Sequence, residues 1–593
     1  VSPRHFLALI AAACLLLWNL NYAPVWNPDE GRYISASLEM IEPLDGTPPD
    51  WTVPHLNTIA RLNKPPLVYW SAAALFKVFG VHVPVARLAS AIAAVGVLAL
   101  LFLLGRKMFN RQTGVLAAVT WATCVLPFTM GRMLSTDMQL AFAMTLALVG
   151  LYWALAPTVS TPPPKRWPGF LIAALGLGLA LLSKGPVGLG LPLIIAFVWM
   201  LMVCGKATFR LPVIAGVLGA MAFAIAMATP WYLAVNRVEP QFISQFLLGE
   251  NIGRLTGGKF YHNTKPFWFY IPVILIAALP WSAFLWPALR SLIGDFKARR
   301  ATATPETQAA QARLFLWIWA VAVVGLFSLS STKLITYILP ALPPLALLIA
   351  QTFFHKPEDQ AYARIMKRAA GVTAGVLLLL GILLPLLFLH PKLLADKIMT
   401  RADVLPFVAG LSVVLIMGAI ALFLRRPAFK VLPLTGAALF MVLTGFMGRF
   451  ALYEDPSPMI ERLLPYLQPD GQVMQFKTFQ PSVMYYTHRP SVIVDFANRS
   501  GLDEEEYENS GDFVDNHDAI KKALATGKQV FVLTRWKHLH WPTLPKMHLI
   551  AINNDYRLLS NQPAPAGYHY EHIAPRKRQR ELSPACKALE PDC

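Results

Sequence analysis

Apolar residues in this chain come in long unbroken runs rather than in the short alternations of a soluble fold. Such runs lie near 6–23, 83–104, 113–129, 137–156, 169–182, 187–203, 211–230, 267–289, 314–327, 335–352, 369–389, 404–424 and 431–451. Backbone amides in hydrocarbon must pair within their own segment, so a run of about 20 apolar residues reads as a spanning helix. The pattern therefore predicts about thirteen spans, with 169–182 and 314–327 short enough to move that number by one or two. The first run has a long apolar core with no A-x-A site after it, and Leu15-Leu16-Leu17-Trp18 carries it past Cys14. It reads as an uncleaved anchor rather than a cleaved signal peptide.

After Leu452 the pattern changes to normal charge with short alternating pieces. Met459–Leu467 and Ala519–Thr526 read as helices, and Val473–Phe476, Ser491–Phe496 and Gln529–Thr534 as strands. Alternation at this spacing predicts a small soluble α/β domain over 453–593. Asp503–Glu506 reads as a solvated loop, and Arg576–Arg580 as a basic flexible end.

Composition agrees with a chain solvated mostly by lipid. Hydrophobic residues make up 55% and charged residues 14% of it, against about 25% charged in a soluble protein. A net charge of +19 would point to nucleic acid in a soluble chain. In a membrane protein it is what positive-inside loops produce, so nucleic acid is not an expected partner. With the N-terminus inside, alternate loops hold about 20 Lys/Arg in about 78 residues, against about 14 in about 131 outside. An odd span count then places the soluble domain outside.

Candidate chemistry collects at the outer interface, in a long loop over 24–82 and a second over 231–266. No carboxylate lies in mid-span, which counts against a proton-coupled carrier. The first loop opens Asn27-Pro28-Asp29-Glu30-Gly31-Arg32-Tyr33 and ends Asn63-Lys64-Pro65-Pro66-Leu67. Pro28 followed by two acids starts a helix, so capping and catalysis are equal readings of Asp29. Lys64 either snorkels or binds an anion. Asp137 closes the turn from Arg132 and opens a span, while Lys184 and Lys333 sit in tiny outside turns. Cations are disfavoured there, and a phosphate held at the outer leaflet would account for all of them. Gly253–Lys259 spells G-x-x-x-x-G-K, but Phe260 replaces the Ser/Thr, no strand precedes it, and it is no P-loop.

Together these fragments resemble a family. Pro-Asp-Glu-x-Arg-Tyr from Pro28, Lys-Pro-Pro-Leu from Lys64 and Arg-x-x-x-x-Asp from Arg132 occur in order. Ser183-Lys184-Gly185-Pro186, Pro230-Trp231-Tyr232, Pro266-Phe267-Trp268 and Lys333-Leu334-x-x-Tyr337-x-Leu-Pro follow. The set resembles the GT-C membrane glycosyltransferases, in particular the aminoarabinose lipid A transferase (ArnT) branch, related to protein O-mannosyltransferases. The resemblance implies a polytopic α-helical GT-C domain over 1–452 in a bacterial inner membrane, with a periplasmic α/β domain. It implies a polyprenyl-phosphate-linked sugar donor and, as acceptor, lipid A or another envelope glycan or protein, alongside contacts with membrane lipids. It carries Asp29 and Asp137 over as catalytic carboxylates. Arg32, Tyr33, Lys64, Lys265 and Tyr337 become donor-phosphate residues, with Arg132, Lys184 and Lys333 beside them. His262 matches a metal-binding histidine, but Asn63 replaces the branch's usual Glu, and a neutral amide is a poorer ligand for a divalent cation. No cofactor is required on this reading, and a divalent metal is left open. The first loop is also a few residues longer than is typical, around Pro43–Pro49. Two alternatives stand beside the enzyme: a lipid-linked-intermediate transporter and a non-catalytic assembly protein on the same scaffold. In an oxidising periplasm Cys586 and Cys593 are expected to pair, whereas Cys14, Cys124 and Cys204 lie in or beside spans.

Overall fold

The computed structural model describes residues 3–157, 165–240, 242–244, 246, 265–300, 304–354, 360–389, 401–496, 513–514, 518–539, 544 and 547–564. Each of the thirteen predicted runs contains helix, but they do not make thirteen straight spans. Among the described residues ten helices are long and apolar enough to cross a membrane, or eleven with one bent pair. That pair, Phe267–Ala277 and Ser282–Ala298, turns through 114°, at a break that includes Pro280. The first helix, Pro3–Leu17, has 15 residues. The 113–129 run divides into Arg111–Ala122 and Val125–Met130. Pro127 has no amide to give back to the Thr123 carbonyl, and at the same break the Thr123 hydroxyl accepts Trp281 Nε1 at 3.0 Å.

The two runs expected to be short are full spans, Trp167–Lys184 and Pro305–Leu329. The second extends past its apolar stretch because Arg313, near its start, is buried against Asp295 at 2.6 Å. A paired charge does not end a helix, although it ends a hydropathy run. The helix Leu211–Val238 likewise continues through Trp231, whose indole donates to Thr52 O at 2.9 Å, so the second loop begins later than expected.

At the centre of the bundle Thr136–Leu155 packs along Trp167–Lys184. A Cβ on Gly150 would lie 2.3 Å from Ala173 N, and one on Gly176 2.3 Å from Ala147 N. In lipid, helix association draws on close packing, and small residues allow that approach.

The first loop carries an interfacial helix, Asp29–Glu39, and a hairpin of β1 (His55–Leu56) and β2 (Ile59–Ala60). The C-terminal domain is one six-stranded sheet. Its strands are β3 (Gln472–Phe476), β4 (Val492–Val494), β5 (Phe513–Val514), β6 (Val530–Arg535), β7 (His548–Asn553) and β8 (Tyr556–Ser560). They lie in the order β5-β4-β3-β6-β8-β7, parallel from β5 to β6 and antiparallel beyond. β6 is buried along nearly its whole length, as its unbroken Val-Phe-Val-Leu run requires of a central strand. The predicted helices and strands of this domain are present. The β7–β8 hairpin and the short helix Ser482–Thr487 are additions. Asp503–Glu506, the Arg576–Arg580 end, Cys586 and Cys593 lie outside the described residues.

The sheet domain sits on the first loop. Asn27 Nδ2 donates to Asp455 Oδ2 at 2.8 Å and to the Ser482 hydroxyl at 2.7 Å, and Asn27 Oδ1 accepts Ser482 N at 3.1 Å. Burial raises the Asp455 carboxyl above its ordinary range. Asn57 and Ser491 bond reciprocally at 3.0 and 2.8 Å, and the Ser35 hydroxyl donates to Pro481 O.

Beneath that contact lies a fully buried ion pair, Glu30 with Arg87, 2.8 Å apart. Glu30 also accepts Trp26 N and Leu134 N, while Arg87 donates to the carbonyls of Leu20, Ala23 and Pro24. Removing one partner of such a pair leaves a charge uncompensated, at a cost of about 3–5 kcal/mol. Arg87→Met is therefore expected to lower the thermal midpoint of the detergent-solubilised protein sharply. Arg87→Met with Glu30→Leu should recover most of that loss, and two equal losses would show that the pair is not coupled.

Candidate functional site

Asp29 and Glu30 are neighbours in sequence and opposites in structure. Successive helical residues point about 100° apart, so Glu30 turns inward to Arg87 while Asp29 stays 78% exposed. Asp29 meets Arg32 one turn on, Oδ1 to Nη1 at 3.3 Å. Behind Arg32 lies Arg61, which is buried and donates to the Tyr69 hydroxyl at 3.2 Å. The Tyr33 ring lies tilted against that of Tyr69, centroids 5.8 Å apart, with the Arg61 guanidinium 6.0 Å from the Tyr33 centroid. Burial, and then the Arg61 charge, pull the Arg32 guanidinium below its ordinary pKa. Burial raises the Tyr33 hydroxyl, which therefore stays a neutral donor.

The second part of the site joins two span ends. Asp137 lies in the first turn of Thr136–Leu155, and Lys184 is the last residue of Trp167–Lys184. Each stands at the helix end whose dipole favours its charge. Lys184 Nζ is 2.5 Å from Asp137 Oδ1. Gly185, at φ 69°, ends the lysine's helix in a conformation that glycine adopts freely. The Ser183 hydroxyl donates to Thr136 O at 3.1 Å, joining the two ends. Thr336 adds a side-chain hydrogen bond to Asp137, and the Lys64 charge acts on the same carboxylate. Lys184 Nζ also lies 4.3 Å from the Tyr337 ring centroid. The Tyr33 hydroxyl feels the Asp137 charge as well as that of Asp29, which links the two parts of the site. Arg32, Arg61, Lys64 and Lys184 thus face two carboxylates, and this local surplus of positive charge suits a polyanion.

The remaining candidates divide. Lys64 is buried, with Nζ donating to Asn63 O at 2.8 Å. Lys333 is buried and donates to Ser330 O at 2.5 Å, in the turn that leads to Tyr337. Lys265 is exposed, and no bond joins it to the cluster among the described residues. His262 lies outside them. Arg132 corrects the expectation made for it. Its guanidinium donates to Leu15 O at 2.5 Å, Trp18 O at 2.9 Å and Phe128 O at 3.2 Å, and stacks 3.5 Å from the Phe128 ring centroid. Leu15 O and Trp18 O are carbonyls at the end of the first helix, and Phe128 O lies one turn back in Arg132's own segment. Arg132 therefore closes the first helix instead of holding a phosphate. Arg61, Tyr69 and Thr336 went unnoticed in the sequence. Arg61 violates the positive-inside pattern just as Lys184 does, so the same criterion would have found it.

Several buried polar atoms around the cluster have no hydrogen-bond partner among the described residues. They are Asn63 Oδ1, Ser135 Oγ, Gln139 Oε1 and Thr332 Oγ1. Such atoms are costly to bury alone, and beside a cation cluster they suit a hydroxylated ligand. For a divalent cation the described donor set is a poor fit. Among the described residues no three His, Cys, Asp or Glu converge, and Asn63 offers only a neutral oxygen. A separate cavity of about 970 Å³, lined by Tyr22, His82, Arg449, Glu461 and Tyr486, includes none of the candidates.

Comparison with solved structures decides the fold. The crystal structure of ArnT from Cupriavidus metallidurans bound to undecaprenyl phosphate superposes with a TM-score of 0.79 at 19% identity. The match covers 96% of this chain and 100% of that one. The chain carries the ArnT fold. The apo state of the same ArnT protein matches with a TM-score of 0.76. Residues 63–233 match the family described as dolichyl-phosphate-mannose-protein mannosyltransferase, a stretch that holds Lys64, Asp137 and Lys184 but not Asp29. Two curated proteins, each named undecaprenyl phosphate-alpha-4-amino-4-deoxy-L-arabinose arabinosyl transferase 2, are similar in sequence. The one from Proteus mirabilis is 33% identical over 336 residues, 56% of either chain. The one from Pseudomonas fluorescens is 32% identical over 385 residues, 64% of this chain and 65% of its own. The chain thus spans less than two thirds of the length of these relatives. The described residues form a multi-pass bundle with the ArnT architecture.

Lys184→Met would strip Asp137 of its paired cation and leave it only Thr336 and the more distant Lys64 charge. A loss approaching about 3 kcal/mol is expected. Lys184→Arg should retain most of the stability. Unchanged melting of Lys184→Met in detergent would show that the contact adds nothing to the fold.

Proposed function

We propose that this chain is an inner-membrane glycosyltransferase with its N-terminus in the cytoplasm and its sheet domain in the periplasm. Its donor is a polyprenyl-phosphate sugar, of which 4-amino-4-deoxy-L-arabinose is the sugar named for the relatives, and its acceptor is lipid A. The observation that carries the reading is the surplus of cations over carboxylates where the interfacial helix meets the span ends. An acceptor oxygen attacks the anomeric carbon, the bond from that carbon to the phosphate oxygen breaks, and polyprenyl phosphate leaves with its added negative charge. Lys64, Lys184, Arg32 and Arg61 are held before the reaction begins, and fixed cations stabilise such charge without reorganising. Asp137 holds Lys184 in place. A phosphate acceptor is already ionised and needs no base, which frees exposed Asp29 to bind the amino group of the donor sugar. A hydroxyl acceptor would instead use Asp29 as general base. The match to the protein mannosyltransferase family favours a protein hydroxyl as the second reading of the acceptor. Mass spectrometry of lipid A and of envelope proteins, from cells with and without the gene, separates the two. No change in either would sink the enzyme reading.

Asp29→Asn is expected to reduce kcat/KM for the amino-sugar donor about ten- to hundredfold, the loss of one charge-assisted contact. Thermal stability should be unchanged because its carboxylate is exposed. A general base for a hydroxyl acceptor would instead show as a fall in kcat of about a hundredfold or more. Normal transfer by the variant would leave Asp29 only a place at the helix start. For Lys64→Ala, a lost charge-assisted contact of about 1.5–3 kcal/mol predicts about a ten- to hundredfold fall in kcat/KM for the donor. Acceptor KM should move little, and an unaltered donor kcat/KM would refute the phosphate contact.

A further inference from the structure

The end of the bundle opposite Asp137 holds a cavity that the proposed reaction does not use. Helix direction places it there: Pro305–Leu329 starts at this end, where Gln308 Nε2 reaches Pro157 O at 3.3 Å, and finishes beside Ser330 at the other. The cavity is about 260 Å³ and is lined by Arg290, Ser291, Arg313, Gln351, Thr352 and Tyr362, among others. Arg313 forms its rigid wall. Its Nε and Nη2 clasp the Asp295 carboxylate at 2.6–3.0 Å, and the Ser291 hydroxyl donates to the same group at 2.9 Å. The Tyr362 hydroxyl donates to Thr352 O at 3.0 Å and braces the opposite side.

Asp295 is thereby committed to Arg313. Arg290 is exposed and makes no side-chain hydrogen bond or ion pair among the described residues, and the same holds for the bonds of the Gln351 amide. One guanidinium and one amide therefore line a cavity whose other arginine, Arg313, is already paired with Asp295. Next to Arg290 on the outer surface stand Trp286, Leu289 and Ile293, which are 59%, 43% and 70% exposed, as side chains facing lipid would be. A ligand suited to both features carries an anion at one end and hydrocarbon at the other. Basic pockets between spans bind lipid headgroups in this way. The general excess of Lys and Arg in positive-inside loops would spread charge over a surface without building a walled cavity.

We propose that this cavity binds the headgroup phosphate of an anionic phospholipid in the leaflet opposite the candidate site. Arg290 and Gln351 would meet the phosphate, with its acyl chains lying along Leu289 and Ile293. The volume exceeds that of a phosphate alone and leaves room for the glycerol that joins it to the chains.

Native mass spectrometry of the full detergent-solubilised chain, titrated with phosphatidylglycerol or phosphatidylcholine, tests this. The intact protein should retain one phosphatidylglycerol in preference to phosphatidylcholine. Arg290→Ala should weaken that retention about tenfold, as expected for one charge-assisted contact. Exposed Lys367 does not line the cavity, and Lys367→Ala should leave retention unchanged. Equal retention of the two lipids, or an equal loss in both variants, would overturn the proposal in favour of diffuse surface charge. Stabilisation by inorganic phosphate alone, with no phosphatidylglycerol retained, would overturn it in favour of a soluble anion. Because Arg290 is exposed, Arg290→Ala should melt as the parent does. Normal lipid retention by a folded Arg290→Ala protein would also refute the assignment.

Discussion

A carboxylate removed from water must be met by a cation, and the meeting of Glu30 with Arg87 organises the site end of this protein. Both side chains are wholly buried, yet each bond has a use beyond the pair. Arg87 gathers the carbonyls of Leu20, Ala23 and Pro24, where the chain leaves the first helix. Glu30 gathers the amides of Trp26 and Leu134. The helix Asp29–Glu39 is thereby locked in rotation as well as position, and that rotation turns Asp29 outward. An exposed carboxylate beside Arg32 and a buried one on Arg87 are two results of a single helical step.

The sheet domain adds a second constraint on the same helix. Asn27, two residues before Asp29, spends both its amide donor and its acceptor on Ser482, and also bonds Asp455. A Cβ on Gly31 would fall 2.5 Å from Asn27 Oδ1, so that glycine lets the domain approach. Hydrogen bonds of this kind are worth about 1 kcal/mol each. Their value here is geometric, because they fix the start of the helix from the side opposite the bundle.

Much of this was legible because lipid enforces a coarse pattern. The spans and the sheet domain follow from run length and from the change in composition at Leu452. Asp137, Lys184, Lys64 and Tyr337 stood out as charges or motif residues in the wrong place, and the structure brings them together. What stayed hidden was pairing. Arg87 lies inside a run that reads as apolar, and Arg313 lies just outside one, because a buried partner removes the reason for a charge to avoid lipid. Arg132 shows the converse error. A cation in an outside turn needs an acceptor, but helix-end carbonyls serve as well as a phosphate, and spacing along the chain does not separate them. The β7–β8 hairpin was missed because its turn, Asn553-Asn554-Asp555, lacks the glycine that usually marks such turns; Asn554 adopts a φ of 45° instead.

The same reasoning explains why the cluster consists of pairs on short turns. A long flexible loop could carry as many lysines, but each would have to be ordered when a phosphate arrived, at the expense of side-chain entropy. Lys184 is already fixed by Asp137, by the end of its own helix and by the Tyr337 ring. Asp137 neutralises part of its charge, a loss that Arg32, Arg61 and Lys64 more than offset in number. The arrangement exchanges some raw attraction for cations that do not move. That exchange favours a step in which charge develops on a leaving oxygen, since rigid donors gain most where charge appears late. It would favour a carrier less, because a carrier must release its anion and gains nothing from a site built to hold one still.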